Sequence, residues 1–389
     1  MKKLLCLVLA LMMALACVSA FAEEKSDLQK AYDEEMHLAR YITSRGAAYE
    51  FDTWNAYEHY WFQIAWSFDK SGKPIEAADE GIFNKYGEQV AAGGQEVVDK
   101  LRTLREALVQ KVEDPESVCW YIWRDGTPEG MAQEDGVAEM DFSHKFDEAG
   151  FVPFLVPYMV EDQSQVKGNV IVVAGGGYNQ RCHDYEGDAS AIMLNQHGYN
   201  AFILQRRVEP FAQIDSSIDL QRAVRYLRYY AEEKGIGAID NIATVGYSGG
   251  GSTVCFQMNT CYGDITPDSI YPTYVCDDID KINSDYKVAG IFYGAPKDGY
   301  ASENPNMPAL FITVGTNDDG LWPQTIELIK QARELKWTMG AYIAAEAPHG
   351  FALTGVRAFT DQGTTAAAFA MDAFDEFLSI YFGLKPVHF

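Results

Sequence analysis

Ser248 stands in a pattern that is typical of a catalytic nucleophile. Gly246-Tyr-Ser-Gly-Gly250 matches Gly-x-Ser-x-Gly, in which the serine occupies a sharp turn between a strand and a helix. Such a turn strains the serine backbone, and the positions two residues to either side must lack side chains so that strand and helix can approach. Residues 242–245 are apolar enough for a buried strand, and residues 252–258 can form a helix. The context therefore fits the motif.

A serine nucleophile needs a base to take its proton. In enzymes that carry this motif on a strand–turn–helix unit, the chain order is serine, acid, histidine. Only His349 and His388 follow Ser248. His388 is the next-to-last residue, where chain ends are usually loose, whereas His349 follows a strand-like segment at 340–345. We therefore predict His349 as the base.

The acid of the set is expected at the end of another strand. Residues 309–315 form an apolar segment that predicts a buried strand, and Asp318 and Asp319 follow it closely. Open parallel sheets build their sites at the carboxyl ends of the strands. A carboxylate there can orient the imidazole and stabilise its charged form. We predict Asp318 as the acid, with Asp319 as the alternative.

Three consecutive glycines follow the strand-like segment 169–174. A phosphate-binding loop would require Gly-x-Gly-x-x-Gly or a following Gly-Lys-Ser/Thr, and neither is present. An oxyanion hole requires backbone N–H groups near the developing negative charge, and a tight turn without chemistry is the alternative. We predict Gly176 or Gly177 (Tyr178 if the loop is shifted) as donors, together with Gly249 after the nucleophile.

The segments that would position these residues alternate between strand and helix from about residue 117 onward. This order predicts an α/β domain over 116–389, with a mostly parallel sheet covered on both faces. The apolar segment 151–160 contains prolines, which predict an edge or bent strand. The other predicted elements before the motif are a strand at 199–205 and helices at 184–197 and 219–234.

Residues 23–115 have a different pattern, that of helices joined by short polar turns. The third of these helices is predicted over 94–112. A second helix carries large side chains at spacings of three and four. They could form a sugar-stacking platform or a lid, but packing of the helical segment is the favoured interpretation, since aromatic side chains at helical spacing are usually core. These side chains are Trp54, Tyr57, Trp61, Ile64 and Phe68.

Net charge narrows the classes of partner, and the cysteines and acidic residues narrow the possible disulfides and metal sites. The formal net charge of −25 argues against nucleic acid and anionic lipid, and suits a neutral or cationic substrate. Five cysteines beyond residue 22 show no disulfide framework, so at most two disulfides are expected, with one thiol left over. Neither Cys182-His183 nor the acidic cluster at 277–280 has a recognised metal-ligand spacing. We predict no metal and no cofactor.

The first 22 residues predict an export signal. Lys2 and Lys3 precede an uncharged apolar run, and Ala20-Phe-Ala22 is a cleavage site of the Ala-x-Ala type. Lipid attachment at Cys17 is an alternative, although the residues before it fit a lipoprotein signal poorly. No later run is long enough for a membrane span. The protein is expected to be secreted.

Several segments between about 165 and 355 resemble the α/β-hydrolase superfamily, specifically its bacterial acetyl xylan esterase-like and related carbohydrate esterase members. They are Val170-Ile-Val-Val-Ala-Gly-Gly-Gly-Tyr178, Glu186-Gly187, Gly198-Tyr-Asn-Ala-Phe202, the helix from Asp219, Gly246-Tyr-Ser-Gly-Gly250, Gly315-Thr-Asn-Asp318 and His349-Gly-Phe-Ala-Leu353. The chain departs from that pattern at Arg206-Arg207, where Tyr-Arg is expected, and in its helical N-terminal segment.

The resemblance implies a Ser248 nucleophile, an Asp318 acid and a His349 base. It implies hydrolysis of acetyl or similar small acyl esters on sugars, with no metal, so the expected partner is a small-molecule or polysaccharide ester. Tyr178, Arg181 and Glu186 are candidate substrate-binding residues, and His183 lies among them. For Arg181, His183 and Glu186, the alternative is a solvated loop with internal ion pairs.

Two other functions stay open at this point. The same residues could serve a secreted serine peptidase, with the N-terminal segment as a gate, and amide cleavage in preference to ester cleavage would identify it. A non-catalytic surface binding protein is the other alternative, although a complete set of serine, acid and histidine argues against it.

Overall fold

A computed structural model of the chain describes residues 25–73, 75–84, 86–123, 151–178, 180–209, 211–296, 307–352 and 361–386. The predicted export signal and Cys17 lie outside these ranges. None of the helices in the described ranges is both long enough and apolar enough to cross a bilayer.

The N-terminal segment has a core of its own. It contains α1 (Asp27–Thr43), α2 (Phe51–Ala65), a short hairpin of β1 (Ile82–Phe83) and β2 (Gln89–Ala91), and α3 (Gly94–Glu106). Helix α1 begins after Ser26, whose hydroxyl accepts a hydrogen bond from the Gln29 N–H at 3.1 Å and so satisfies one of the free donors at the helix start.

The packing interpretation of the aromatic helix is confirmed for four of its five residues. Trp54, Tyr57, Trp61 and Ile64 are buried together in the core of the segment. Phe68 lies beyond the end of α2 and forms a bridge with Phe83 of the hairpin. The sequence did not predict the hairpin, and α3 ends at Glu106 rather than at 112.

The predicted sheet is present, and the described residues contribute eight strands to it. Their spatial order is β10-β9-β8-β7-β5-β6-β4-β3. The pairs β3–β4 and β4–β6 are antiparallel, and the remaining pairs are parallel. The strands are β3 (Trp120–Tyr121), β4 (Phe154–Tyr158), β5 (Asn169–Val173), β6 (Asn200–Gln205), β7 (Ile242–Tyr247), β8 (Val288–Phe292), β9 (Ala309–Asn317) and β10 (Met339–Pro348).

The proline-containing strand β4 is second from the edge of the sheet. Among the described residues, its edge partner β3 pairs with Phe154 and Leu155. Pro157 lies beyond that pairing, so within the described part of the chain its side of β4 is an edge, where the missing N–H of proline breaks no ladder bond. The expected edge position therefore holds for this half of the strand.

Helices cover both faces of the sheet. They are α4 (Ala189–Gln196), α5 (Gln213–Tyr229), α6 (Gly249–Thr260), α7 (Trp322–Glu334) and α8 (Asp361–Tyr381). Side chains alternate between faces along a strand, so Ile171 and Val173 pack with α5, α6 and α7, while Val170 and Val172 pack with α4 and α8. A π-helical turn, His183–Asp188, precedes α4.

The N-terminal segment lies directly on the π-helical turn. Gly46, between α1 and α2, is so close to it that an added Cβ would lie 2.6 Å from Asp188 Oδ1 and 2.9 Å from the Trp54 ring. A 3-10 turn at Pro115–Val118 lies just before β3. The domain boundary near residue 115 stays a prediction.

The cysteines and the acidic cluster have structural surroundings. The five cysteines beyond residue 22 are free thiols, so none of the at most two expected disulfides is formed. They are Cys119, Cys182, Cys255, Cys261 and Cys276. Asp277 and Asp280 both bind the guanidinium of Arg222. Within the described ranges, no group of three His, Cys, Asp or Glu side chains is arranged to hold a metal ion.

Candidate active site

Ser248 lies on the sharp turn that the motif predicts. Strand β7 ends at Tyr247 and α6 begins at Gly249. The Ser248 backbone has φ 49° and ψ −118°, a strained conformation for a residue with a side chain. An added Cβ at Gly250 would lie 2.0 Å from the carbonyl oxygen of Val173, and one at Gly246 would lie 2.4 Å from that of Gly250. The two glycines are therefore required by close approach of strand and helix.

A chain of hydrogen bonds joins Ser248 to His349 and Asp318. Ser248 Oγ lies 2.9 Å from His349 Nε2, and His349 Nδ1 lies 2.7 Å from Asp318 Oδ2. The three residues come from the end of β7, the loop after β10 and the end of β9. The imidazole thus has a hydroxyl on one nitrogen and a carboxylate on the other, the arrangement that activates a serine nucleophile.

Asp318 and Asp319 have opposite environments. The Asp318 side chain is 1 % exposed, and its second oxygen accepts a hydrogen bond from the Leu321 N–H at 3.0 Å. Asp319 is exposed. The geometry favours Asp318, and its catalytic role stays a prediction, as do those of Ser248 and His349.

The glycine loop after β5 lies against the serine turn. Gly176 and Gly177 have φ values of 106° and 65°, and an added Cβ at Gly249 would lie 2.1 Å from the Gly177 carbonyl oxygen. Gly249 is the first residue of α6, where backbone donors have no partner within the helix. The predicted oxyanion donors are therefore adjacent. Gly175, by contrast, donates its N–H to Glu186 Oε2 at 2.8 Å.

The predicted substrate-binding side chains lie around this loop. The hydroxyl of Tyr178 accepts hydrogen bonds from Gln213 and Thr253 on α5 and α6. Arg181 donates to the carbonyl of Arg206. Substrate contact by these side chains stays a prediction.

The alternative of a solvated loop is wrong. Arg181, His183 and Glu186 are only 4 %, 2 % and 3 % exposed. Burial, together with the surrounding arginines, holds the pKa of His183 well below its ordinary value. Burial also raises the pKa of Glu186, against the effect of hydrogen bonds from Tyr293 and Gly175.

Two residues beside the site, Tyr293 and Arg206, were not predicted from the sequence. The ring of Tyr293 stands nearly perpendicular to that of His349, with centroids 5.1 Å apart, and its hydroxyl donates to Glu186 Oε1 at 2.8 Å. Arg206 donates to the carbonyl of Gly177 at 3.3 Å. Tyr293 directly follows β8, and Arg206 directly follows β6. The position at a strand end was therefore the available signal.

No protein-family model matches this chain. Endo-1,4-beta-xylanase B of Butyrivibrio fibrisolvens is 29 % identical to it over 120 residues, which make up 30 % of this chain and 18 % of the xylanase. The chain thus matches less than a fifth of that enzyme's length.

Several solved structures are similar to the chain. An acetyl ester-xyloside bifunctional hydrolase from Caldicellulosiruptor lactoaceticus is 18 % identical with a TM-score of 0.48, over 66 % of this chain and 96 % of that one. An α/β hydrolase enzyme from a Medee basin deep-sea metagenome library is 18 % identical with a TM-score of 0.46, over 66 % and 97 %. A thermophilic esterase of Thermogutta terrifontis is 19 % identical with a TM-score of 0.46, over 59 % and 89 %.

The chain's own topology agrees with the resemblance in its sequence. Its mostly parallel sheet has helices on both faces, and the serine turn lies between a central strand and the helix that follows it. This chain has the α/β-hydrolase fold, preceded by a helical N-terminal segment.

Proposed function

We propose that this protein is a secreted serine esterase that hydrolyses small acyl esters, in particular acetyl esters on carbohydrates. The observation that carries the proposal is the continuous hydrogen bonding from Ser248 Oγ through His349 to Asp318 on a strained strand–helix turn. A turn of this conformation, with a base and an acid at hydrogen-bond distance, has no evident structural purpose.

The proposed reaction is a two-step acyl transfer. His349 Nε2 takes the proton of Ser248 Oγ, which attacks the ester carbonyl carbon. The N–H groups of Gly249 and of Gly176 or Gly177 hold the oxygen that becomes negative, and loss of one such donor typically costs about 3 kcal/mol. His349 then protonates the leaving alcohol as the carbon–oxygen bond breaks, and water releases the acid from the acyl-enzyme by the same steps.

The carbohydrate part of the proposal rests on the sequence resemblance, and the similarity to a xylanase over 120 residues agrees with it. The His349 side chain is 46 % exposed, which suits an acyl group carried on the outside of a polymer. Secretion rests on the predicted export signal alone.

The test is release of p-nitrophenol from acetyl, butyryl and octanoyl esters, followed by release of acetate from acetylated xylan. We expect acetyl turnover that falls with chain length, and loss of turnover in Ser248→Ala. Activity that survives this substitution would contradict the assignment of the nucleophile. Cleavage of peptide amides in preference to all three esters would favour a peptidase, and inactivity on every substrate would favour a binding protein.

A further inference from the structure

We propose that Glu186 and Tyr293 are positioning residues that hold the glycine loop and the His349 imidazole in a fixed position relative to each other. The inference rests on the proposed function, since it assigns these residues a part in the same reaction. Neither side chain is placed to react with a substrate, and both act through groups that would.

The Glu186 carboxylate joins two parts of the site that are distant in sequence. Its Oε2 accepts the N–H of Gly175, the first residue of the glycine loop, at 2.8 Å. Its Oε1 accepts the hydroxyl of Tyr293 at 2.8 Å. The residue is 3 % exposed, so these bonds face little competition from water. Each oxygen of this buried carboxylate therefore accepts a hydrogen bond from a different part of the site.

The carboxylate lies close against the backbone of the loop. An added Cβ at Gly175 would lie 2.4 Å from Glu186 Oε2 and 2.9 Å from Ser248 Cβ. The carboxylate, the loop and the nucleophile thus meet at a point where no side chain fits. The next two residues of the loop, Gly176 and Gly177, have left-handed conformations. The hydrogen bond at Gly175 fixes the start of the loop, and with it the directions of the Gly176 and Gly177 N–H groups.

Tyr293 connects the same carboxylate to the base. Its backbone has φ 36°, a left-handed conformation that costs free energy for a bulky residue and persists only where the surroundings enforce it. Its ring packs against the rings of both His349 and Phe351, with centroid distances of 5.1 and 5.4 Å. The hydroxyl bond to Glu186 fixes this ring, and the ring forms a wall beside the imidazole.

Electrostatics act in the same direction. The titratable and charged groups that face the Glu186 carboxyl are Tyr293, His349, Arg206 and Tyr247. When ionised, the carboxylate attracts the imidazolium that forms as His349 takes the serine proton. This attraction is stronger in the transition state than in the ground state, so it raises kcat rather than lowering KM.

The test compares three variants with one matched control. Glu186→Ala removes both bonds. Glu186→Gln keeps an acceptor for the Gly175 N–H, and Tyr293→Phe keeps the ring beside His349 without the hydroxyl. The control is Asp188→Asn, which changes another buried carboxyl on the same π-helical turn, also bonded to a tyrosine, Tyr158. Asp188 lies against Gly46 of the N-terminal segment.

We expect Glu186→Ala to lower kcat for p-nitrophenyl acetate by about 10²-fold, the effect of misplacing catalytic groups by a small distance, with KM little changed. Glu186→Gln and Tyr293→Phe should each lose less than Glu186→Ala, and Asp188→Asn should keep wild-type kcat. The rate of covalent labelling of Ser248 by a fluorophosphonate should follow kcat, and thermal unfolding identifies any variant that fails to fold.

Two results would overturn the inference alone. One is a wild-type kcat in both Glu186→Gln and Tyr293→Phe, and the other is an equal loss in Asp188→Asn, which would indicate general destabilisation. An unlabelled and inactive wild-type protein would instead overturn the proposed function, and the inference with it.

Discussion

The acid of the proposed triad illustrates how position decides between two adjacent identical side chains. Asp318 and Asp319 have the same side chain, but only Asp318 points into the protein. Its Oδ2 is hydrogen-bonded to His349, and its Oδ1 accepts the Leu321 N–H. A buried, doubly bonded carboxylate holds the imidazole in one orientation. An exposed carboxylate such as Asp319 has no such constraint.

Substitution of the two aspartates therefore has unequal consequences. We expect Asp318→Asn to lower kcat for ester hydrolysis by about 10⁴-fold, because an amide at this position favours the wrong imidazole tautomer. Asp319→Asn is the matched control and should leave kcat nearly unchanged. The measurement is steady-state hydrolysis of p-nitrophenyl acetate, and the reverse order of effects would assign the acid to Asp319.

At the scale of elements, the turn between β7 and α6 depends on close contact with the neighbouring strand β5. The space at Gly250 is closed by the Val173 carbonyl, which is backbone and cannot rotate away. Gly187, in the π-helical turn, is different. An added Cβ there would have its nearest neighbour at 3.6 Å, an ordinary contact.

We expect Gly250→Ala to lower the free energy of unfolding by about 3 kcal/mol or more, as overpacking against a rigid neighbour does. Gly187→Ala should change it little. Denaturant titration of both variants by circular dichroism tests this contrast. Equal stabilities would show that the turn between β7 and α6 can relax, against the interpretation of its glycines.

At the scale of the whole molecule, the contact between the N-terminal segment and the sheet domain buries a carboxyl group. Asp188 is 2 % exposed and lies against Gly46 of the segment. Burial raises its pKa from 3.8 to about 7, although the hydrogen bond from Tyr158 and the charge of Lys111 oppose the shift. Folding therefore favours the protonated form of this group.

The stability of the protein should for this reason depend on pH. Between the ordinary pKa and about 7, the folded state binds a proton that the unfolded state has released, so Asp188 destabilises the fold as the pH rises, by about 1.4 kcal/mol per pH unit. Asp188→Asn should remove this dependence. Denaturant titrations of both proteins at a series of pH values from 4 to 8 measure it, and parallel curves would contradict the expected protonation.

Much of the candidate site follows from local sequence. Gly-x-Ser-x-Gly between an apolar strand and a helix predicts the turn at Ser248, because the steric demands of that turn are met within five residues. Chain order then leaves His349 as the predicted base. The alternation of apolar strands and amphipathic helices predicts the covered parallel sheet, since periodicity reports which faces are buried. Even so, β8, a plain apolar run at 288–292, was missed.

Only the tertiary structure decided the rest, because spacing along the chain constrains neighbours and not distant contacts. The choice of Asp318 over Asp319 depends on how β9 and β10 meet. The contact of Glu186 with Gly175 and Tyr293 joins a helical turn, a loop and a strand end that the sheet order brings together. Burial of Glu186 and Asp188 likewise depends on which elements pack over the π-helical turn. In sequence, a buried carboxylate and an exposed one are the same letter, and their chemistry differs because their surroundings do.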